Sequence, residues 1–318
     1  MRVAASLFVV IVALGAQVPH ARAQQYPSRP VQIYVGTTAG GAVDVMARAL
    51  AEDFGNAFGG SFIVVNKEGR NNTIAATQVA RSTPDGYTLG FHAAGPFVSD
   101  LFTHEGIPFE LSRIDFLCQV VELPVAFAVQ SDSPIKTIQQ LVDAAKREPD
   151  KITVGSVGAG SVPTIALGLL ERAAGVRFNK ITYKGDGETV IALLGRHIDA
   201  AVPGLSTIAN KGLPILAVSS KMRAASEPSV PTLTELGYPI VKVGMAGLYA
   251  PTGLANDIRE KLAHTCSEVA AKGAKFRAVT SKLGQEVSYL GPEQWRARII
   301  QDGQENKPII EQLETSQQ

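Results

Sequence analysis

Glycines and hydroxyl residues fill a predicted turn between a short strand and an amphipathic helix near the N-terminus. After the apolar residues 33–35, the turn contains Gly36, Thr37, Thr38, Ala39, Gly40 and Gly41, and Asp44 follows on the first helical turn. Such a turn leaves backbone N–H groups unpaired at a helix N-terminus, where the helix dipole adds partial positive charge. The chemistry open to it is the capture of a small anion, such as a carboxylate, without Lys or Arg.

A second strand-to-helix junction has the same character in the middle of the chain. The strand predicted over residues 152–155 runs into a loop that contains Ser156, Gly158, Gly160, Ser161 and Thr164. Hydroxyl groups add donors to the backbone amides, so two such loops facing each other would hold an anion from both sides. Glycines also suit ordinary turns, and neither the P-loop nor the dinucleotide-binding spacing is present, so other features must decide between the two interpretations.

Catalytic patterns are weak in this chain. No Gly-x-Ser-x-Gly elbow surrounds Ser156, Ser161 or Ser206, and the five histidines have no metal-binding spacing. The sequence therefore predicts a protein that is not an enzyme, with no catalytic residue, metal or cofactor. An exported hydrolase remains the enzymatic alternative.

Five further residues of chemically reactive type are interpreted as structural. Asp186 and Glu188 lie at a predicted helix start, where acidic side chains usually cap the helix, and Asp199 lies within a predicted strand. Cys118 and Cys266 are the only cysteines. In an oxidising compartment they are able to form one disulfide, but two buried free thiols are the favoured interpretation.

The N-terminus predicts export. Arg2 precedes an apolar stretch over residues 4–18, and Ala21 and Ala23 form the small-x-small pattern of a signal peptidase site. We therefore expect a signal peptide over residues 1–23 and a mature protein in the periplasm. Without the two arginines of that segment the chain is nearly neutral, which excludes the basic surface that nucleic-acid binding requires.

Alternating strands and helices predict an α/β fold. Strands over residues 33–35, 62–65 and 87–92 are separated by helical patterns, a βαβαβ order that indicates a parallel sheet, and the alternation restarts after residue 124. We expect helices near 257–271, 275–283 and 293–312 to pack back on the first unit. The predicted domains, each a mostly parallel sheet flanked by helices, are residues 24–121 plus 248–318 and residues 122–247.

Several short motifs, in this order, resemble the Bug family of TctC-like receptors. They are Tyr26-Pro27-Ser28-Arg29-Pro30, Gly40-Gly41 with Asp44, Thr83-Pro84-Asp85-Gly86-Tyr87-Thr88-Leu89, Ser156-Val157-Gly158-Ala159-Gly160-Ser161, Tyr183-Lys184-Gly185, and Val230-Pro231-Thr232 with Glu235 and Gly237. The resemblance implies a type II-like periplasmic binding protein that closes as a clamshell over a small carboxylate. It also implies delivery to membrane subunits similar to TctA and TctB, no catalysis and a monomer. A sensor that presents the ligand to a signalling protein is the alternative role.

By position, the resemblance places ligand-binding residues in four loops between the two domains. The two glycine loops described above would hold the ligand from opposite sides. A loop after residues 87–92 contributes His92, Ala93 and Ala94, and a loop after residues 198–202 contributes Pro203, Gly204 and Ser206. A lone His at a strand end is as often a structural partner as a ligand contact.

Because the sequence departs from the family pattern at several positions, the resemblance does not predict the shape of the pocket. Thr37, Thr38 and Ala39 stand where prolines are common, Met245-Ala246 replaces an aromatic pair, and Thr164 replaces a His. Residues 70–73 replace a Gly-rich segment that commonly ends in Asn. Arg70 has the chemistry to clamp a second carboxylate, but a solvated surface side chain is the favoured interpretation.

Overall fold

The computed structural model describes residues 26–102, 106–158, 160–209 and 211–315. The signal peptide predicted over residues 1–23 lies outside them. The strands are β1 (Val31–Val35), β2 (Phe62–Asn66), β3 (Thr88–Ala93), β4 (Ile114–Pro124), β5 (Ala126–Val129), β6 (Thr153–Val157), β7 (Asn179–Tyr183), β8 (Ala200–Ala201), β9 (Ile215–Val218), β10 (Val243–Pro251) and β11 (Val287–Leu290). The helices are α1 (Ala42–Phe58), α2 (Thr73–Ala80), α3 (Gly95–Val98), α4 (Ile138–Arg147), α5 (Val162–Ala174), α6 (Asp186–Leu194), α7 (Leu205–Ile208), α8 (Asn256–Lys272), α9 (Ala274–Lys282) and α10 (Pro292–Thr315).

The first sheet has six strands in the order β11-β4-β10-β3-β1-β2. β1 pairs in parallel with β2 and β3, as the βαβαβ pattern predicted, while β10 is antiparallel to both β3 and β4. Met46, Leu50 and Phe54 form the apolar stripe of α1 and are fully buried against this sheet. The stripe recurs at helical spacing, which is why the sequence pattern located this helix correctly.

The second sheet has five strands in the order β7-β6-β8-β5-β9. β6 pairs in parallel with β7 and β8, and β5 is antiparallel to β8 and β9. The Thr137 side chain caps α4 as predicted, because its oxygen accepts a 3.1 Å hydrogen bond from the N–H of Gln140. Helices flank both sheets, which confirms the predicted α/β class.

The chain crosses between the two sheets twice, and the crossings are hydrogen-bonded to each other. Only Val125 separates β4 of the first sheet from β5 of the second, and residues 219–242 lead back to β10. Val125 donates its N–H to Ser219 Oγ at 3.0 Å, and Lys242 donates its N–H to the Ser219 carbonyl at 2.9 Å. The sheets follow the predicted domain boundaries to within a few residues, and the division into domains stays a prediction.

The interpretation of the cysteines as free thiols is wrong. Cys118 on β4 and Cys266 on α8 form a disulfide, with 6.5 Å between their Cα atoms and 148 positions between them in sequence. α8 packs against β4, so tertiary packing brings together two residues whose separation carries no pairing signal. In the described residues, no helix combines the length and apolar character needed to cross a membrane.

Candidate functional site

The first loop, defined as residues 36–41, connects β1 to α1. Gly36 is buried, whereas Thr38, Ala39 and Gly40 are exposed. Gly40 has a φ of +84°, a left-handed conformation that Gly adopts without steric cost, and Gly41 donates its N–H to the Thr38 carbonyl at 3.1 Å. The glycines therefore permit a tight turn that brings the chain to the start of α1.

Asp44 holds the first loop in place. Its carboxylate accepts hydrogen bonds from the Gly40 N–H at 2.8 Å, from Asn66 Nδ2 at 2.8 Å, and from Arg48 Nε and Nη2 at 3.0 and 2.9 Å. Burial acts to raise the pKa of this carboxyl, but the bonds from Arg48, Gly40 and Asn66 outweigh it and hold the pKa below its usual range. These donors occupy the carboxylate, so Asp44 stabilises the conformation of the first loop.

Unsatisfied groups of the first loop are available to a ligand. α1 has no side-chain cap at Gly41, so the N–H groups of its first turn lack the partner that a capping side chain would supply. Within the described ranges, Thr37 Oγ1 and Asn72 Oδ1 are buried without a hydrogen-bond partner. Buried polar atoms are normally paired, so the Thr37 hydroxyl is able to donate to water or to an anion, whereas the Asn72 carbonyl oxygen is able only to accept a hydrogen bond.

A left-handed segment, Arg70 to Asn72, lies behind the first loop. The φ angles of Arg70, Asn71 and Asn72 are 46°, 48° and 75°. A Cβ added to Gly36 would come within 2.5 Å of Asn72 Cβ, so this segment directly contacts the loop. Arg70 Nη2 donates to the Gly106 carbonyl at 3.3 Å, a local contact on the same sheet unit. Arg70 is exposed, as expected for the favoured interpretation of a surface side chain, and the alternative contact with a ligand is untested.

His92 lies in a buried pair with Tyr249. One ring nitrogen, Nδ1, is 2.8 Å from the Ala93 carbonyl, and Nε2 is hydrogen-bonded to the Tyr249 hydroxyl. Burial lowers the pKa of His92 to about 4, against a smaller opposite effect of the Ala93 carbonyl, so the ring is neutral at pH 7. Both nitrogens are occupied in this conformation. Ala93 is partly exposed beside the ring, and Ala94 is buried.

The second loop, defined as residues 156–164, satisfies its own hydroxyl groups. Ser156 Oγ lies 2.8 Å from Thr164 Oγ1, Ser161 Oγ donates to the Val157 carbonyl at 2.8 Å, and Thr164 Oγ1 bonds to the same carbonyl. Ser161 also caps α5 by accepting the Thr164 N–H. These hydroxyls therefore shape the loop, and any ligand contact there must come from the backbone, for example at Gly158 and Gly160.

The third loop, defined as residues 203–206, lies at the junction of the two sheets. Gly204 forms an isolated antiparallel bridge with Val125, the residue at the first chain crossing, and the Pro203 carbonyl accepts the Ala126 N–H at 2.9 Å. α7, which contains Ser206, packs against β4 of the first sheet. This predicted binding loop is thus held where the two sheets meet.

Three polar residues around these loops have partners that the sequence does not predict: it assigns no role to Asn66 or Asn72, and only helix capping to Asp186. Asn66 bonds Asp44 and donates to the Thr37 carbonyl at 2.9 Å, and Asn72 contacts Gly36. The carboxyl of Asp186 accepts a hydrogen bond from the Gly204 backbone instead of capping its own helix. The signal for Asn66 was its position at the C-terminal end of β2, because parallel strands end at the same edge of a sheet.

The other acidic residues have structural partners. Glu188 accepts the Lys184 N–H at 3.1 Å, just before the start of α6, and Asp199 accepts hydrogen bonds from the backbone and hydroxyl of Thr153 at 2.8 and 2.6 Å. In the described ranges, no group of three His, Cys, Asp or Glu side chains is placed to hold a metal ion.

Two helix-flanked sheets joined by paired crossings, with glycine loops at strand ends, define the class of periplasmic solute-binding proteins. The sequence model of TctC, described as Tripartite tricarboxylate transporter family receptor, matches residues 46–315. This chain belongs to that family.

Relatives and solved structures agree with the assignment. A UPF0065 protein encoded in the gbd 5' region of Cupriavidus necator is 33% identical over 303 residues, covering 94% of this chain and 92% of the relative. The structure of the periplasmic binding protein BugD is 30% identical, with a TM-score of 0.78 over 91% of this chain and 98% of its own. The R. palustris protein Rpa4515, solved with adipate, is 21% identical with a TM-score of 0.82, covering 91% and 98% of the two chains, and supports the fold alone.

Proposed function

We propose that this protein is a periplasmic receptor that binds a small carboxylate in a cleft between its two sheet units. The receptor delivers its ligand to a tripartite tricarboxylate transporter, whose membrane subunits resemble TctA and TctB. The observation that carries the proposal is the first loop, where an uncapped helix start adjoins the Thr37 hydroxyl, which is buried without a partner among the described residues. Family membership supports the same role.

The first loop favours an anion by dipoles and hydrogen bonds. Neutral N–H groups at a helix N-terminus stabilise negative charge without a basic side chain, and the Thr37 hydroxyl adds a donor. Among the described residues, Arg48 is the one Arg whose side chain bonds to Asp44, and its bonds go to that carboxylate and to Asn66. A carboxylate bound here is therefore held mainly by the backbone.

Binding of the other end of the ligand falls to the second and third loops. Nothing lies within 4 Å of where a Cβ would stand on Gly158, which allows close approach of a ligand to the backbone. The third loop contacts the first chain crossing, so a movement of the second sheet unit would carry it toward or away from the first loop. Hinge closure of this kind couples ligand occupancy to docking on the transporter.

Isothermal titration calorimetry tests the proposal. The ligand panel contains acetate, malate, adipate, citrate and amino acids, and circular dichroism checks that the ligand-free protein is folded. Thr37→Val removes the unpartnered hydroxyl and is expected to weaken binding about tenfold. Thr38→Val is the matched control, because the Thr38 hydroxyl already donates to Glu68 at 3.2 Å. Failure of every acid to bind the folded protein would overturn the proposal.

A further inference from the structure

Asp186 lies at the first turn of α6, directly beside the third loop. Its carboxyl accepts a hydrogen bond from the Gly204 backbone, and a Cβ added to Gly204 would come within 2.8 Å of Asp186 Oδ2. Gly204 in turn bridges to Val125 at the chain crossing. The carboxyl group is therefore placed at the junction of the two sheets, beside a loop that the proposed function assigns to the ligand.

One oxygen of this carboxyl group has no partner. The residue as a whole is partly exposed, but the Oδ1 atom is buried and makes no hydrogen bond within the described residues. No ion pair identified among those residues includes Asp186. Burial raises its pKa, opposed by the Gly204 bond, which reflects a carboxylate without a compensating cation.

A buried carboxylate oxygen without a donor is costly, so its retention points to a partner supplied from outside the chain. From this geometry we propose that Asp186 is a specificity-determining residue whose Oδ1 accepts a hydrogen bond from an ammonium group of the ligand. The inference rests on the proposed function and deepens it. The ligand class it selects is a carboxylate that also carries an amine, as amino acids do.

Charge distinguishes this ligand class from the diacids. The first loop receives a carboxylate through neutral dipoles and supplies no cation, so Asp186 meets only the partial positive charge at the start of its own helix. A ligand ammonium would supply both the missing donor and the missing positive charge, whereas a second ligand carboxylate would place like charges together. A zwitterionic ligand therefore fits the first loop and Asp186 together.

Calorimetry with two matched ligand pairs tests the inference. Glutarate is compared with 4-aminobutyrate, and adipate with 5-aminopentanoate, because each pair differs only in carrying a carboxylate or an ammonium at one end. Asp186→Asn keeps an oxygen for the Gly204 N–H and removes the charge. Glu188→Gln is the control, since it removes an equal charge from the same helical turn at an exposed position.

We expect the parent protein to bind the amines at least tenfold more tightly than the diacids, and Asp186→Asn to remove that preference while Glu188→Gln retains it. An unchanged preference in Asp186→Asn would overturn the inference and leave the receptor function intact. Tighter binding of diacids, weakened by Asp186→Asn, would also overturn it, because the side chain would then act as a donor. Failure of all four probes, and of the wider panel above, would overturn both proposals.

Discussion

Gly36 and Asn72 are in such close contact that the loop backbone and the left-handed segment behind it form one packed unit. A Cβ at position 36 would lie 2.5 Å from Asn72 Cβ and 2.6 Å from Asn72 Cα. Real Cβ atoms do not approach other atoms so closely, and part of the obstruction is backbone, so a side-chain rotation does not relieve it. The glycine at the start of the first loop is therefore required by its neighbour.

Substitution of Gly36 tests this contact. Gly36→Ala is expected to lower the free energy of unfolding by about 2 kcal/mol or more and to weaken ligand binding, because the loop must move away from Asn72. Gly158→Ala is the control for stability alone, since nothing lies within 4 Å of its added Cβ and the residue belongs to a proposed binding loop. Urea denaturation and calorimetry provide the two measurements. Equal stability of the two variants would contradict the contact.

The carboxylate of Asp44 is predicted to stabilise both the fold and the first loop. Asp44→Asn weakens its bonds to Arg48 and Gly40, and we expect a loss of about 1–3 kcal/mol together with weaker ligand binding. Because the folded-state pKa is lowered, this contribution is present above about pH 4 and is lost as the pH falls further. Asp132→Asn, at an exposed pair with Arg196, is expected to change stability by less than about 0.5 kcal/mol.

The buried His92 is expected to make the folded protein less stable in acid. The unfolded chain takes up its proton near pH 6.5, whereas the folded protein does so only near pH 4, so stability present above pH 6.5 is lost progressively as the pH falls toward 4. The full effect is about 3 kcal/mol. In urea denaturation across this pH range, the free energy of unfolding of His92→Asn is expected to change less with pH than that of the parent protein. The variant is also expected to be less stable than the parent at pH 7. The exposed His264→Asn variant is expected to keep the parent profile. If the free energy of unfolding of His92→Asn depended on pH as steeply as that of the parent protein, this prediction would be contradicted.

The disulfide is predicted to stabilise the protein by about 2–5 kcal/mol, because it limits the unfolded chain around the whole second sheet. Thiol titration of the protein denatured without reductant is expected to find no free thiol. Cys118→Ala with Cys266→Ala should then unfold at lower urea concentration than the parent. Two titratable thiols in freshly purified periplasmic protein would contradict the pairing.

Much of the fold was predictable from local patterns. The apolar stripe of α1, the Thr137 cap and the βαβαβ order of the first three strands are features of short segments, and the structure confirms each of them. β4 was missed because it is almost wholly buried. A buried strand lacks the alternation that marks a half-exposed one, and its antiparallel pairing with β10 joins distant parts of the chain.

The sequence by itself determined where small residues and glycines allow the chain to turn at the ends of strands, because turn conformation depends on neighbouring residues. Only the tertiary structure decided which polar atoms these turns leave available. The second loop satisfies its own hydroxyls, whereas Thr37 Oγ1, Asn72 Oδ1 and Asp186 Oδ1 have no partner in the part of the chain that the structure describes. That difference arises because hydrogen-bond partners come from segments distant in sequence, and sheet order and the two chain crossings determine which segments meet.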